Sequence, residues 1–439
     1  MPTPLYDALK KYVDREPFRF HMPGHKGGPV PLAAELKQIT SIDVTELPPT
    51  GNLYEKGEPF DSAQMLWAEQ FGFACCQFLT GGSTQGIHIG LALCCQPGDH
   101  VLVDRNCHRA VFNALALLDL KPVYLERLWL REENLIGPIS PADVENKLSQ
   151  HPEIKTICIT SPSYSGILSD IEKISGVVHR HGGKLFVDGA HGAHLPFLGI
   201  YPFRGADAVV TSAHKTLPAL GQSALLFADG FDPDRVRQLA SVFGTSSPSY
   251  PIMASMDTAR EWMITCGAHE YRQTAHRVAN LRGRFPSLGE GLSLDPARFT
   301  LNVKNGSSFA HELERRGIFP EMEDGGHVVF ICTPHDNGPA FDLLEKTLEE
   351  LQDQLGACPP IPAPPVSEQR LSPRQALFSQ NTARRLKDCI GQIAACQIAP
   401  YPPGVPVVAP GEVISKKALA YLEKIGYNIN LEVRIVALS

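Results

Sequence analysis

Ser212-Ala213-His214-Lys215 closes the apolar run Ala208-Val209-Val210-Thr211, and Asp188 closes another such run, Leu185-Phe186-Val187. A lysine amine adds to a carbonyl only when it is partly deprotonated, and a buried strand end disfavours its charged form. An acid at a nearby strand end can keep a pyridinium nitrogen protonated, which turns a flat aromatic cofactor into an electron sink. The two residue types in this arrangement point to a pyridoxal 5'-phosphate site. Standing alone, the tetrapeptide would read as a solvated strand end, so its neighbours decide the matter.

Leu79-Thr80-Gly81-Gly82-Ser83-Thr84-Gln85-Gly86 precedes an apolar helix. Small residues let backbone amides approach an anion, and Ser83 and Thr84 add hydroxyl donors, which makes a phosphate cradle at a helix N-terminus. His108 follows Val103-Asp104-Arg105-Asn106-Cys107 at another strand end, where its ring could stack on a flat cofactor. His191 and His194 lie just beyond Asp188 at a spacing that invites a metal, but no third ligand accompanies them, so no metal is expected. His21-Met22-Pro23-Gly24-His25-Lys26-Gly27-Gly28 reads as a polar glycine-rich loop. Acidic residues cluster in Asp43-Val44-Thr45-Glu46-Leu47 and Thr50-Gly51-Asn52-Leu53-Tyr54-Glu55, for which a solvated face is the default.

The elements that must position these residues alternate. Apolar strands are expected over 100–103, 122–125, 154–159, 184–187, 208–211 and 224–227, with helices over 86–95, 110–118, 141–148 and 170–181. This is the pattern of an α/β fold whose mostly parallel sheet is covered on both faces and collects its active residues at the carboxyl ends of its strands. A long helical stretch over 252–284 leads out of this domain. The spacing predicts an N-terminal arm over 1–60, a large cofactor-binding domain over 61–290 and a smaller C-terminal α/β domain over 291–439, the last broken by the proline-rich run 358–365. A chain of 439 residues suits two lobes. A formal charge of -7 without a basic block argues against nucleic acid or an anionic membrane. The start lacks a basic and apolar leader, no run suits a membrane span, and eleven cysteines are an odd number set in apolar patterns, so a cytoplasmic enzyme is expected.

Taken in order, these segments resemble the Orn/Lys/Arg decarboxylase family of fold-type I, aspartate-aminotransferase-like pyridoxal phosphate enzymes, in a short form without an N-terminal wing. The resemblance runs through 21–26, 43–47, 82–86, 104–109, 188–194, 212–222, 245–257, Tyr401-Pro402-Pro403-Gly404-Val405-Pro406 and Pro410-Gly411-Glu412. It implies Lys215 as the lysine bonded to the cofactor and Asp188 as the pyridinium partner. Ser83, Thr84, Ser212 and His214 would bind phosphate, His108 and Ala190 would flank the ring, and His191 would approach the 3-oxygen. It implies a homodimer or dimer of dimers with shared active sites, Ser246, Ser247 and Tyr250 serving a neighbour. The implied activity is decarboxylation of a basic amino acid, arginine ahead of lysine and ornithine, to agmatine, cadaverine or putrescine, as in polyamine biosynthesis. His214 or Lys215 would protonate Cα.

Burying the substrate's distal cation requires a carboxylate, for which Glu46, Glu55, Glu58 and Glu412 are the candidates. Two departures bear on the pocket: Gly189 stands where many members carry a bulkier or charged residue, and Thr-Gly-Asn-Leu-Tyr differs from the Leu-Asp-Asp-Leu of larger members. An aminotransferase or other Cα lyase on the same scaffold remains open, with Arg374 available for an α-carboxylate, as does a cofactor-binding regulatory pseudoenzyme.

Overall fold

The computed structural model of the protein describes residues 2–28, 30, 33–289, 291–336, 338–400 and 404–437. The Tyr401-Pro402-Pro403 part of the late motif lies outside the described residues. The chain forms two compact units, one built from Met1–Leu93 with Phe186–Tyr271 and the other from Cys94–Leu185 with Arg272–Ser439. The large sheet has seven strands.

In the first unit the strand Cys75–Leu79 pairs antiparallel with Ala224–Ala228, which pairs antiparallel with Ala208–Ser212. The last of these runs parallel to Lys184–Asp188, with Phe186 opposite Ala208 and Asp188 opposite Val210. Every residue of Ala208–Ser212 and Ala224–Ala228 is buried, as expected for strands covered on both faces. In the second unit Thr156–Thr160, His100–Asp104 and Lys121–Leu125 run parallel to one another in that order. All six strands read from the sequence form. Cys75–Leu79 was not read as a strand, because its buried Gln77 interrupts the apolar run.

Helices follow their caps and apolar spacing. Asp170 accepts from the Lys173 N–H at the start of Ile171–Arg180, and Ile171, Ile174, Val177 and Val178 form its buried stripe. The expected helical stretch over 252–284 resolves into Tyr250–Trp262, a π-helical turn Met263–Gly267, and Ala268–Arg284. In the second unit Val278 and Leu281 join Phe299, Leu301, Phe309, Phe330 and Leu348 in a core over the antiparallel strands Arg298–Asn302 and His327–Ile331. No helix among the described residues is long and apolar enough to cross a membrane.

The N-terminal helix Pro4–Val13 is held by a residue far along the chain. Asp257 accepts from the Leu5 and Tyr6 N–H groups at 2.9 and 3.2 Å. Burial pushes its carboxyl up to about 6.

One helix packs on the sheet more closely than side chains normally permit. In Gly82–Cys94, a Cβ at Gly86 would lie 2.3 Å from Val210 Cγ2, and one at Gly90 would lie 2.2 Å from Phe186 Cε2. Gly90→Ala should therefore overpack the interface and cost about 1–3 kcal/mol. Gly283, exposed in its helix with open space at the Cβ position, should instead gain about 0.5–1 kcal/mol as Gly283→Ala. Denaturant midpoints of the two variants, displaced in opposite directions from the parent, check both.

Candidate active site

The ladder fixes which residues share an edge of the first unit. Leu79 lies opposite Ala224 and Ala224 opposite Ser212, so the Thr80–Thr84 turn and the residues after Ser212 leave the sheet at the same level. The parallel neighbour ends there too: the Gly189 N–H donates to Val210 O at 2.9 Å and the Ser212 N–H to Ala190 O at 3.3 Å. Asp188, 2% exposed, accepts from the Ala190 N–H at 3.2 Å.

Lys215 sits on the single helical turn Ala213–Thr216, with its Nζ 3.0 Å from His191 Nε2. The residue beside it is committed differently: His214 Nδ1 lies 2.8 Å from Ser223 O, which places a proton on that nitrogen. Burial holds His214 below the usual histidine range, and the Lys215 charge acts in the same direction against the pull of the Ser223 carbonyl. His194, the other member of the histidine pair, is fully buried and stacks on Tyr271, with centroids 5.0 Å apart. No cluster able to hold a metal ion occurs among the described residues.

The same edge suits a phosphorylated aromatic aldehyde. The side-chain oxygens of Thr211, Ser212, Thr216 and Ser223 are buried without a hydrogen-bond partner among the described residues, an unusual concentration around one lysine. Gly82, at φ +70, opens the helix Gly82–Cys94 whose first turn holds Ser83, half-buried, and Thr84, exposed. That turn is braced by Gly82 N–H to Gln222 O at 2.8 Å and Gly81 N–H to Gln85 Oε1 at 3.0 Å. The amine, the carboxylate, the unpartnered hydroxyls and the helix N-terminus are the groups pyridoxal phosphate would require. Ala190 is buried after Asp188. The Gly189 departure has a physical reason: a Cβ there would lie 2.5 Å from the Phe203 ring, which occupies the space a larger residue would need.

All four candidate carboxylates accept a hydrogen bond within the chain. Glu55 accepts from Asn52 Nδ2 at 3.1 Å and Glu58 from Ser62 Oγ at 2.6 Å, both on exposed turns. Glu412, in the second unit, is fully buried; its Oε2 accepts from Arg105 NH2 at 2.9 Å and the Ala409 N–H at 2.8 Å. Burial raises the Glu412 carboxyl, while Arg105 and the Ala409 N–H pull it back down. Glu46 differs from all three. With Asp43, Thr45, Met22, Ser247 and Ser249 it lines a cavity of about 220 Å³, and Thr45 Oγ1 donates to it at 2.6 Å. Ser246 and Ser247 are exposed, whereas Tyr250 is fully buried and donates to Gly51 O at 2.5 Å.

His108 belongs to the second unit, where it caps Arg109–Leu117 by accepting from the Ala110 N–H at 3.3 Å. Its loop is held on both flanks by late residues: Arg105 donates to Pro406 O and Val407 O at 2.6 and 3.2 Å as well as to Glu412, and the Arg109 N–H donates to Gly404 O at 3.2 Å. Before it, Asp104 forms a buried ion pair with Arg127, whose Nε is 3.0 Å from Oδ1. Arg374 donates to Ala116 O and Leu117 O at 3.2 and 3.3 Å, closing the end of that helix.

Comparison with known proteins identifies the family. The major-domain model of Orn/Lys/Arg decarboxylases matches residues 3–309, and the model of their C-terminal domain matches residues 351–430. The chain belongs to the Orn/Lys/Arg decarboxylase family. It is similar to an arginine decarboxylase of Bacillus subtilis, 29% identical across 96% of this chain and 93% of the relative. It is also similar to the constitutive lysine decarboxylase of Escherichia coli, 23% identical across 96% of this chain and 76% of that protein. Among solved structures, the Francisella novicida lysine decarboxylase superimposes with a TM-score of 0.82 at 21% identity, over 99% of this chain and 81% of that one. The α/β, aspartate-aminotransferase-like fold expected from the sequence is the fold observed. As a member of this decarboxylase family the chain is an amino acid decarboxylase, and the family implies pyridoxal phosphate as its cofactor.

Borohydride reduction of the cofactor-loaded enzyme should fix the label on Lys215, as read by peptide mass spectrometry, and Lys215→Ala should carry none. Asp188→Asn should keep the label and lower kcat by at least about a hundredfold, because a neutral amide cannot hold the ring-nitrogen proton.

Proposed function

We propose that the enzyme decarboxylates a basic amino acid, arginine ahead of lysine and ornithine, through pyridoxal phosphate carried on Lys215. The observation that carries the proposal is the meeting of Lys215, Asp188 and four unpartnered buried hydroxyls at one sheet edge of a family decarboxylase. When bound, the cofactor supplies the sink for the electron pair left by the departing carboxylate. Asp188 would be the residue to hold the ring nitrogen protonated. His191, beside the Lys215 amine, takes up the proton that must leave before the lysine can bond a carbonyl. Ser83, Thr84, Ser212 and His214 would hold the phosphate, and Ala190 would lie against a ring face. Lys215, released when substrate replaces it, returns a proton to Cα; His214 is less suited, its Nδ1 proton being engaged by Ser223 O.

Substrate choice is assigned to Glu46 with Asp43, since two carboxylates beside one cavity suit a planar, doubly donating guanidinium better than a point charge. The full-length similarity to a protein named arginine decarboxylase supports the same order. A homodimer is proposed with it, in which the exposed Ser246 and Ser247 serve the neighbouring copy's site.

Amine formation from arginine, lysine and ornithine, measured side by side with carbon dioxide release, tests the assignment. Agmatine should form with the highest kcat/KM, and Glu46→Gln should lower that value roughly tenfold or more. A keto acid in place of an amine, or full turnover by Lys215→Ala, would sink the mechanism.

A further inference from the structure

The turn that carries Lys215 cannot hold itself. Ala213–Thr216 is one helical turn ended by the Leu217 N–H donating to Ala213 O at 2.8 Å, and so short a helix has paid for nucleation with almost no propagation. Outside partners must fix it. At its start they come from Ser223, whose carbonyl takes the Ala213 N–H at 3.1 Å and the His214 ring. At its end the partner is Tyr271, fully buried, whose hydroxyl donates to the Thr216 carbonyl.

Tyr271 also reaches the same lysine from the other side. Its ring stacks on His194 at an interplanar angle of 26°, and His194 ends the short loop that presents His191 Nε2 to Lys215 Nζ. One side chain thus touches both the backbone just after Lys215 and the loop bearing the amine's imidazole neighbour.

The helix leading to Tyr271 is irregular at a telling place. The π turn Met263–Gly267 inserts about one residue into the helical register, which rotates everything after it by roughly 100°. Gly267 is required there, because a Cβ would lie 2.5 Å from the Trp262 ring and 2.9 Å from Met263 Sδ. π turns of this kind concentrate at functional sites, and this one ends four residues before Tyr271.

We propose that Tyr271 is a positioning residue for the reaction: aimed by the π turn, its hydroxyl and ring together hold Lys215 Nζ and His191 Nε2 in register with each other. The inference rests on the reading of Lys215 as the cofactor-bearing lysine. Thr216 keeps its helical carbonyl direction only while the hydroxyl is present, and without it Lys215 is free to turn away from His191.

Tyr271→Phe removes the hydroxyl and keeps the stack. In the cofactor-loaded enzyme kcat should fall about tenfold with KM changed less than about twofold, while the visible absorbance midpoint should move by about half a pH unit or more. General destabilisation would not move that midpoint. An unchanged kcat with an unchanged absorbance-against-pH curve would overturn the proposal. Should Tyr271→Phe fail to fold, Gly267→Ala is read by the same two measurements: a lowered kcat with a displaced midpoint supports the role of Tyr271, and no change in either overturns it. The pH dependence of Lys215 acylation in the full chain without added cofactor, parent against Tyr271→Phe, gives a third comparison. A parent enzyme that takes no borohydride label at Lys215 sinks the functional reading, whereas coincident acylation curves sink the role of Tyr271.

Discussion

Parallel pairing of Lys184–Asp188 with Ala208–Ser212 makes two chain segments leave the sheet together, and the rest of the first unit depends on that coincidence. Asp188 ends one strand and the turn that carries Lys215 begins at the end of the other. A slip of one residue in this ladder would send alternate side chains to the opposite face and separate the pair. The neighbouring ladder, with Leu79, Ala224 and Ser212 in line, adds the glycine turn and helix N-terminus at the same level. Glycine at 86 and 90 lets that helix lie close enough to the sheet to bring its first turn there.

Polarity at this edge runs against the usual composition of a core. Asp188, His191, His194, Thr211, Ser212 and Thr216 are all buried, half of them at the ends of strands and half in the turns just beyond. Leaving hydroxyls without partners costs stability that packing elsewhere must offset, and such a deficit is the expected signature of a place shaped for a polar guest. The histidine pair illustrates the division of labour. His191 faces the amine, and its neighbour three positions on serves as a flat surface for an aromatic ring, so the spacing that suggests a metal arises instead from one turn of loop performing two tasks.

The candidacy of Lys215 and Asp188 was legible in the sequence because few residue types suit that chemistry and both close apolar runs, whose ends leave the sheet at one level in the structure. The alternation of strands and helices was legible for a similar reason of periodicity. Tyr271 was not, since nothing local distinguishes a buried tyrosine in a helix whose register is shifted by a π turn. Nor could spacing sort the acids: Glu55 and Glu58 bond to near neighbours, Glu412 meets Arg105 across most of the chain, and Glu46 lines a cavity with Asp43. Arg374 looks like a carboxylate receptor until its partners prove to be the last carbonyls of a helix.

The grip of Pro406, Val407 and Glu412 on Arg105 has a consequence for the order in which the protein comes into being. Those partners lie about 300 residues downstream, so a ribosome adding roughly 5–20 residues each second makes them some 15–60 s after Arg105 itself. Throughout that interval the loop bearing His108 lacks the contacts that shape it, while the strands around Lys215 and Asp188 are complete long before. Maturation is therefore staggered: the strands of the first unit can form on a nascent chain, whereas the loop around Arg105 waits for the final stretch of translation.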